Sequence, residues 1–322
     1  MSGLLPIVVG LLLAFLGVVL LGPVYISLLQ RLGYGKAIRA DGPDHFGKAG
    51  TPTMGGMLVV IVVMFLAMAM RIEDAATLTP MLALVGVGVL GAIDDFINAR
   101  TGIGIRGRWK LVWQTAVAIL AAFYIWRHFE LSGLSVPFVG EIGLWPVVLI
   151  GFIAFVIVGS SNAVNLTDGL DGLAGGVLIF SFVAYLLIAS ARDQSNLAIF
   201  CALVVGALMG FLWFNVHPAQ LFMGDSGSLG LGATLAVVAT ITRQVPLLAV
   251  VGIVFVAVTM SVIIQVASFK LRGRRVFRMT PLQHHFELIG WAEEKITTRF
   301  WIVAALAGLL GFSIFVANPG VI

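Results

Sequence analysis

Five aspartates stand at the ends of long apolar runs, where ionisable side chains are costly and usually mark a functional site. Asp94 and Asp95 are neighbours in GAIDDF, and two such carboxylates repel each other unless a cation or a proton lies close by. Asp168 and Asp171 occur in NLTDGLDG, and Asp225 occurs in FMGDSGS. If the five acids meet on one face of the protein, they indicate a bound metal ion and a polyanionic substrate.

The segment 160–176, SSNAVNLTDGLDGLAGG, carries the strongest signal. Asn162, Asn165 and Asp168 are three residues apart, so they share one face of a helix over two turns. The four glycines of the segment let the backbone open or approach a ligand closely. A polar turn between two spans would explain the glycines but not the amides and acids at this spacing.

A second glycine-rich segment, FNVHPAQLFMGDSGSLG, contains Asn215 and Asp225 as polar anchors. Phe222 offers an aromatic ring that can stack on a flat base. Asp225 precedes an apolar run, so its other interpretation is a cap at a helix N-terminus. Ser226 or Ser228 could fill that capping role instead, and capping does not exclude metal binding.

The polar segment 269–287, FKLRGRRVFRMTPLQHHFE, combines clustered arginines with two adjacent histidines. We expect most of its cations to anchor the loop at the membrane surface. His284 and His285 suit phosphate binding or acid–base chemistry, because imidazole titrates near neutral pH. A zinc site would need a third clear ligand.

These residues lie in a chain of 322 residues that is 60% apolar and 11% charged, against about 45–50% and about 25% in soluble proteins. So little charge cannot cover a soluble fold, and the high hydrophobicity excludes intrinsic disorder. The single cysteine, Cys201, excludes a disulfide framework and a cysteine-based metal site. The net charge of +4 gives no reason to expect nucleic acid, and the partner indicated is the lipid bilayer.

Ten charge-poor runs are long enough to cross about 30 Å of hydrocarbon as helices. They predict an all-α integral membrane protein with about ten transmembrane helices, organised as one polytopic domain over residues 1–322. The stretch 130–143 contains Pro137, Gly140 and Gly143, so it is either a small external hairpin or an irregular apolar loop. The predicted spans are 3–29, 54–70, 78–97, 111–127, 145–163, 173–191, 196–214, 227–242, 246–270 and 300–317.

Lysine and arginine are distributed unevenly between the two sides of these spans. The loops after the first, third and ninth spans hold 15 of the 19 basic residues, and the other side holds Arg71, Arg127, Arg192 and Arg243. Basic loops stay in the cytoplasm, so we expect both termini outside and the five aspartates on the cytoplasmic side. The first span is too long for the apolar part of a signal peptide and follows no basic segment.

Six motifs follow one another along the chain: GTPTMGG, GAIDDF, RWKLVWQ, NAVNLTDGLDGLA, NVHPAQLFMGDSGSLG and TPLQHHFELIGW. In this order they make the chain resemble the polyprenyl-phosphate N-acetylhexosamine-1-phosphate transferase superfamily over nearly its whole length. GTPTMGG and HHFE favour the branch that uses UDP-MurNAc-pentapeptide over relatives that use UDP-N-acetylglucosamine.

The resemblance implies transfer of phospho-MurNAc-pentapeptide from UDP-MurNAc-pentapeptide to undecaprenyl phosphate, with lipid I and UMP as products and Mg²⁺ as cofactor. It also implies a site on the cytoplasmic face of the bacterial plasma membrane, and it leaves a homodimer open. Such a reaction brings several phosphates together, and a metal ion with cationic side chains must offset their repulsion.

The same resemblance implies roles for individual residues. Asp225 and Asn165 would hold Mg²⁺ on the pyrophosphate, and Phe222 would stack on uracil. Asp94 and Asp95 would bind or deprotonate the acceptor phosphate, unless one of them is the nucleophile of a covalent intermediate. The other substrate-binding residues implied are Lys48, Thr53, Lys110, Asn162, Asp168, Asp171, Asn215, Gln265, Gln283 and the catalytic pair His284 and His285.

One residue departs from the family pattern. The family has three consecutive histidines in the last loop, and the first of these is Gln283 in this chain. Glutamine can donate and accept hydrogen bonds, but it cannot titrate. The departure places in question any role that needs an imidazole at this position.

Other functions stay open from the sequence. One is a related transferase that uses UDP-N-acetylglucosamine, and a more distant one is a secondary transporter, because broken helices with buried acids also suit transport. Transport predicts acids near span centres and an inverted repeat, whereas these acids cluster at span ends and no repeat is visible. DDFIN approaches the DDxxD motif of intramembrane prenyltransferases, but its fifth residue is Asn98.

The predicted orientation can be tested by single-cysteine labelling of intact cells after Cys201 is replaced by alanine. A cysteine beside Arg106 or Arg275 should be protected from an impermeant maleimide, because basic loops stay inside. A cysteine beside Arg192 should react and serves as the control. Labelling of the loop 272–295 from outside would contradict the orientation.

Overall fold

A computed structural model describes residues 4–35, 48 and 50–318, and these residues are mostly helical. Long apolar runs form helices because a chain surrounded by hydrocarbon must pair its backbone N–H and C=O groups within the segment itself. In chain order, the helices of the described residues are α1 (Leu4–Arg31), α2 (Gly55–Ala69), α3 (Ala75–Thr101), α4 (Gly107–His128), α5 (Pro146–Thr167), α6 (Leu173–Ala191), α7 (Ser195–Asn215), α8 (Gly224–Ile241), α9 (Val245–Val251), α10 (Ile253–Arg272), α11 (Leu282–Leu288) and α12 (Glu293–Ala317).

Within the described residues, nine helices are long and apolar enough to cross a membrane, and the apolar α2 is shorter, with 15 residues. The prediction of an all-α multi-pass membrane protein is therefore confirmed, and α2 stands where one of the ten predicted spans was expected. The side on which the termini lie stays a prediction. Residues 36–47, with some of the basic residues that support it, lie outside the described part of the chain.

The ninth predicted span, 246–270, is wrong as a single helix. α9 ends before Gly252, and α10 begins after it. Gly252 has φ −94° and ψ 24°, outside the usual helical values, and a glycine interrupts a helix at little steric cost. α12 also begins earlier than predicted, at Glu293, because acidic residues in a first turn are favoured by the helix dipole.

The stretch 130–143 forms the hairpin, which was one of its two predicted conformations. Strands β1 (Gly133–Val136) and β2 (Gly140–Gly143) pair antiparallel, with Gly133 opposite Gly143. The tip contains Phe138 and Gly140, both with positive φ. The Phe138 backbone N–H donates to Asn318 Oδ1 over 2.9 Å, which ties the hairpin to the end of α12.

The core is centred on α7 and α8, whose side chains are mostly buried. Glycines allow other helices to approach α8 closely near its beginning. A Cβ on Gly56 of α2 would lie 2.1 Å from the Gly227 Cα, and a Cβ on Gly91 of α3 would lie 2.2 Å from the Asp225 carbonyl oxygen. The N-terminus of α8 is thereby held against the start of α2 and the C-terminal part of α3.

Candidate active site

A cavity of about 940 Å³ opens where α3 and α5 end and α8 begins. Of the sixteen residues that the sequence assigns to a site, twelve line this cavity and four do not. The four are Asn162, Gln265, Gln283 and His285. The twelve are Lys48, Thr53, Asp94, Asp95, Lys110, Asn165, Asp168, Asp171, Asn215, Phe222, Asp225 and His284.

Lys110 joins two of the carboxylates. Its Nζ lies 2.7 Å from Asp94 Oδ2 and 2.7 Å from Asp225 Oδ2. Lys110 is in the first turn of α4, whereas the two acids belong to α3 and α8. An ammonium between two carboxylates offsets their mutual repulsion at short range. Asp225 keeps 23% of its side chain exposed to the cavity, against 5% for Asp94.

Asp95 has a different role from its neighbour Asp94. Its Oδ1 accepts the Asp225 backbone N–H over 3.0 Å, and its Oδ2 accepts the Ser226 N–H over 3.1 Å. The carboxylate of α3 therefore caps the N-terminus of α8, where unpaired N–H groups and the helix dipole favour an anion. A Cβ on Gly224, whose φ is +74°, would lie 2.4 Å from Asp95 Oδ2, so only glycine fits there.

This cap answers the question that the sequence left about Asp225. Ser226 and Ser228 both donate their hydroxyls to carbonyl oxygens of α8 or its preceding residue, and neither side chain caps the helix. Because Asp95 supplies the cap, the Asp225 carboxylate points to other partners and remains at the cavity.

The amides of α5 separate into two groups. Asn165 Nδ2 donates to Asp225 Oδ1 over 2.8 Å and to Ser228 Oγ over 2.9 Å. Asn162, one turn earlier, donates instead to Gln114 Oε1 over 2.7 Å, which ties α5 to α4. The three-residue spacing therefore identified the correct helix face, but only the residues near the C-terminus of α5 reach the cavity.

A second charged cluster lies on the other side of the cavity. Lys48 Nζ lies 2.8 Å from Asp171 Oδ1 and 2.6 Å from Glu293 Oε1. His217 Nδ1 lies 3.0 Å from Asp171 Oδ2, and the Asp171 backbone N–H donates to Glu293 Oε1 over 2.6 Å. Asp171, His217 and Glu293 each have a ligand atom within 4.8 Å of the others, but the Lys48 ammonium already supplies the cation.

Sequence reasoning missed Glu293 and His217. The signal for Glu293 was the acidic pair that begins α12, and that for His217 was its position in NVHPAQ between two predicted site residues. Both are separated by dozens of residues from Lys48 or Asp171, so only the folded chain shows their contact.

Phe222 is held by its backbone. Its N–H donates to the Pro52 carbonyl over 2.8 Å, and its carbonyl accepts the Gly55 N–H over 2.8 Å. Asn215 fixes the same loop, because its Nδ2 donates to the Leu221 carbonyl and its Oδ1 accepts the Gly172 N–H. An aromatic ring is thus presented at the cavity wall on a rigid loop.

The two histidines also separate. His284 lines the cavity, and its Nδ1 lies 2.6 Å from Glu287 Oε2, one helical turn away. His285 Nδ1 accepts the Arg278 backbone N–H over 3.2 Å, and its ring packs against Phe277 and Phe286. His285 therefore holds the loop together, whereas His284 faces the cavity.

Neither glutamine reaches the cavity. Gln283 is fully buried, its Nε2 donates to the Leu166 carbonyl over 2.9 Å, and its Oε1 has no partner among the described residues. Gln265 accepts the Val276 and Phe277 backbone N–H groups and donates to the Phe277 carbonyl. Both side chains bond to backbone groups outside the cavity lining.

Comparison with known proteins gives matches over most of the chain. A family model described as glycosyl transferase family 4 matches residues 77–243. A phospho-N-acetylmuramoyl-pentapeptide-transferase of Geobacillus sp. (strain WCH70) is 46% identical over 317 residues, which cover 95% of this chain and 97% of the relative.

Two relatives from other genera carry the same name. The Desulforamulus reducens protein is 44% identical and covers 93% of this chain and 92% of its own length. The Desulfotalea psychrophila protein is 43% identical and covers 93% of this chain and 90% of its own length. The resemblance found in the sequence is confirmed: the chain belongs to the phospho-N-acetylmuramoyl-pentapeptide-transferase family, within glycosyl transferase family 4.

Proposed function

We propose that this protein transfers phospho-MurNAc-pentapeptide from UDP-MurNAc-pentapeptide to undecaprenyl phosphate, giving lipid I and UMP. Two observations together support the proposal. Relatives named phospho-N-acetylmuramoyl-pentapeptide-transferase are 43–46% identical along the chain, and the cavity is lined by the acidic and basic residues that the resemblance assigns to the site. The bilayer concerned is the bacterial plasma membrane, and the cavity faces the cytoplasm.

The reaction requires close approach of two anionic groups. An oxygen of the acceptor phosphate bonds to the sugar-bearing phosphorus, the bond from that phosphorus to the bridging oxygen breaks, and UMP leaves with that oxygen. Lys110, which already lies between Asp94 and Asp225, offers positive charge near the reacting phosphates. Both oxygens of Asp95 accept backbone N–H groups of α8. Asp94 Oδ1 accepts the Ile105 N–H, but its Oδ2 is bonded to Lys110, whose ammonium a phosphate can also contact, so we assign Asp94 of the pair to bind or deprotonate the acceptor.

A covalent route is the alternative to direct attack. In that route a carboxylate oxygen of Asp94 bonds to the phosphorus, UMP leaves, and the lipid phosphate then displaces the carboxylate. The same atoms serve both routes. A phosphorylated enzyme trapped in the absence of acceptor would favour the covalent one.

The cavity fits a magnesium ion at Asp225. Mg²⁺ is bound by oxygen atoms, commonly one or two carboxylates together with substrate phosphates and water. Asp225 is the more exposed of the acids that share Lys110, and Asn165 is bonded to it through Nδ2, so its Oδ1 remains a second oxygen ligand. The ion, when bound, would neutralise charge on the pyrophosphate.

The nucleotide is assigned to the Lys48 side of the cavity. Phe222 would stack on uracil, and Lys48, Asp171 and Asn215 would surround the uridine. The rigid backbone of Phe222 and the fixed carboxylate of Asp171 support this assignment, because a prearranged site loses little entropy on binding.

The direct experiment is a turnover assay on purified protein with undecaprenyl phosphate, Mg²⁺ and either UDP-MurNAc-pentapeptide or UDP-N-acetylglucosamine. We expect UMP release and a lipid-linked product of the mass of lipid I with the first donor only. Equal or faster turnover of UDP-N-acetylglucosamine would contradict the proposed donor.

Asp225→Asn should lower turnover by at least about 10²–10³-fold, because it removes a charge that holds the metal at the developing transition state. The thermal midpoint should change little, since the amide still bonds within the site. UMP release and thermal unfolding measure the two effects. Near-normal activity of the variant at every Mg²⁺ concentration would contradict the assignment.

Gln283→His should change turnover by less than about tenfold, or 1.4 kcal/mol, because the buried glutamine only donates a hydrogen bond to a backbone carbonyl and cannot titrate. His284→Ala, at the cavity wall, should cost much more and serves as the matched comparison. A gain of 100-fold or more in Gln283→His, with a new limb near pH 6–7, would show that the position needs an imidazole.

A further inference from the structure

A second cavity, of about 170 Å³, lies at the end of the helical bundle opposite the active site. α8 begins at the active-site cavity and has 18 residues, so its far end is about 27 Å away. Arg243 follows that end, Arg192 follows the corresponding end of α6, and both side chains line the second cavity. The proposed reaction uses neither residue.

Arg192 is a partly buried cation that forms no ion pair within the described residues. Among the residues that the structure describes, no carboxylate lies within 4.0 Å of its guanidinium and no hydrogen-bond acceptor contacts it. Burial lowers the pKa of Arg192, and the positive charge of Arg243 lowers it further. The fold therefore places two like charges in one recess, an arrangement that is unfavourable unless an anion joins them.

The Arg243 guanidinium is fixed in position by one hydrogen bond, and other N–H donors of the group remain for a ligand. Its Nη2 donates to the Phe129 carbonyl over 2.9 Å, which orients the guanidinium but leaves it charged. Guanidinium carries five N–H donors, so one such bond leaves several for an anion. In residues 4–35, 48 and 50–318, no acid pairs with Arg243 either.

The walls of the second cavity do not neutralise the arginines. The one acid at its edge, Glu141 of β2, is exposed, and its Oε1 accepts a hydrogen bond from Ser132 Oγ over 2.5 Å. The remaining walls are polar and apolar groups of β1, α5, α8 and α9 and of Leu131, which precedes β1. A polar space of this size has room for a tetrahedral oxyanion in place of water.

We propose that Arg192 and Arg243 form an anion-binding site for a phosphate group on the face of the protein opposite the active site. Paired arginines suit phosphate because their planar donor sets match its oxygens. The site lies at the ends of two membrane-crossing helices, which is the level of lipid headgroups. The phosphate would come from an anionic phospholipid of that leaflet or from free phosphate.

The test is thermal unfolding of the delipidated full-length protein in neutral detergent. Three probes are compared: phosphatidylglycerol, the diacylglycerol with the same acyl chains, and inorganic phosphate against sodium chloride of equal ionic strength. Phosphatidylglycerol should raise the Tm of the natural protein by about 2–4 °C, and diacylglycerol should not. A similar rise with inorganic phosphate would identify the free anion as a ligand as well.

Arg192→Gln should abolish this rise, and Arg192→Lys should keep part of it. Without lipid, Arg192→Gln should unfold no earlier than the natural protein, because the charge it removes has no ion-pair partner in the described part of the chain. Arg127→Gln is the matched control, since Arg127 is an exposed arginine at the same end of the bundle, and it should keep the full rise.

Two results would overturn the proposal. One is an equal Tm rise in Arg192→Gln, in Arg127→Gln and in the natural protein, which would mean that phosphate binds elsewhere. The other is a loss of stability in Glu141→Gln without any probe, together with no Tm rise of the natural protein on addition of phosphatidylglycerol or phosphate, which would show that Glu141 is the counter-charge of the arginines.

Discussion

The Lys110 ammonium lies between carboxylates that belong to two different helices, and the rest of the active site depends on that arrangement. Asp94 lies in the C-terminal part of α3 and Asp225 in the first turn of α8, and their charges would repel at this range without a shared cation. Lys110 brings a third helix, α4, to the same point. Charged residues of three helices thus balance one another at this point, and their charges form the electrostatic field that a phosphate encounters there.

The helices can bring these charges together because glycines at the contacts let their backbones approach closely. Gly56, Gly91 and Gly224 let α2, α3 and the start of α8 approach so closely that Asp95 can cap α8 from another helix. Capping from α3 frees the Asp225 side chain for the cavity. The second cluster, around Lys48 and Asp171, is built in the same manner, with Glu293 of α12 closing it from a distant part of the sequence.

The sequence predicted the elements better than it predicted the contacts. Hydropathy alone located the membrane helices, because hydrocarbon permits few other conformations. It predicted α9 and α10 as one helix, because a glycine such as Gly252 does not lower the hydropathy of an apolar run. Residue type and spacing found Asp94, Asn165 and Asp225. They did not separate the residues that line the cavity from Asn162, which bonds to Gln114, and Gln283, which is buried outside the cavity lining. Local sequence does not show which turn of a helix faces a cavity or which distant residue a side chain contacts.

Lys110 stabilises the active-site region because its ammonium compensates two carboxylates. Thermal unfolding of Lys110→Met, compared with Lys110→Met combined with Asp94→Asn and Asp225→Asn, tests it without reference to activity. The single variant should lose stability, and neutralising both acids should restore much of the loss, because the repulsion that Lys110 offsets is then gone. A triple variant less stable than Lys110→Met would show that the effects simply add, and it would rule out charge compensation as the role of Lys110.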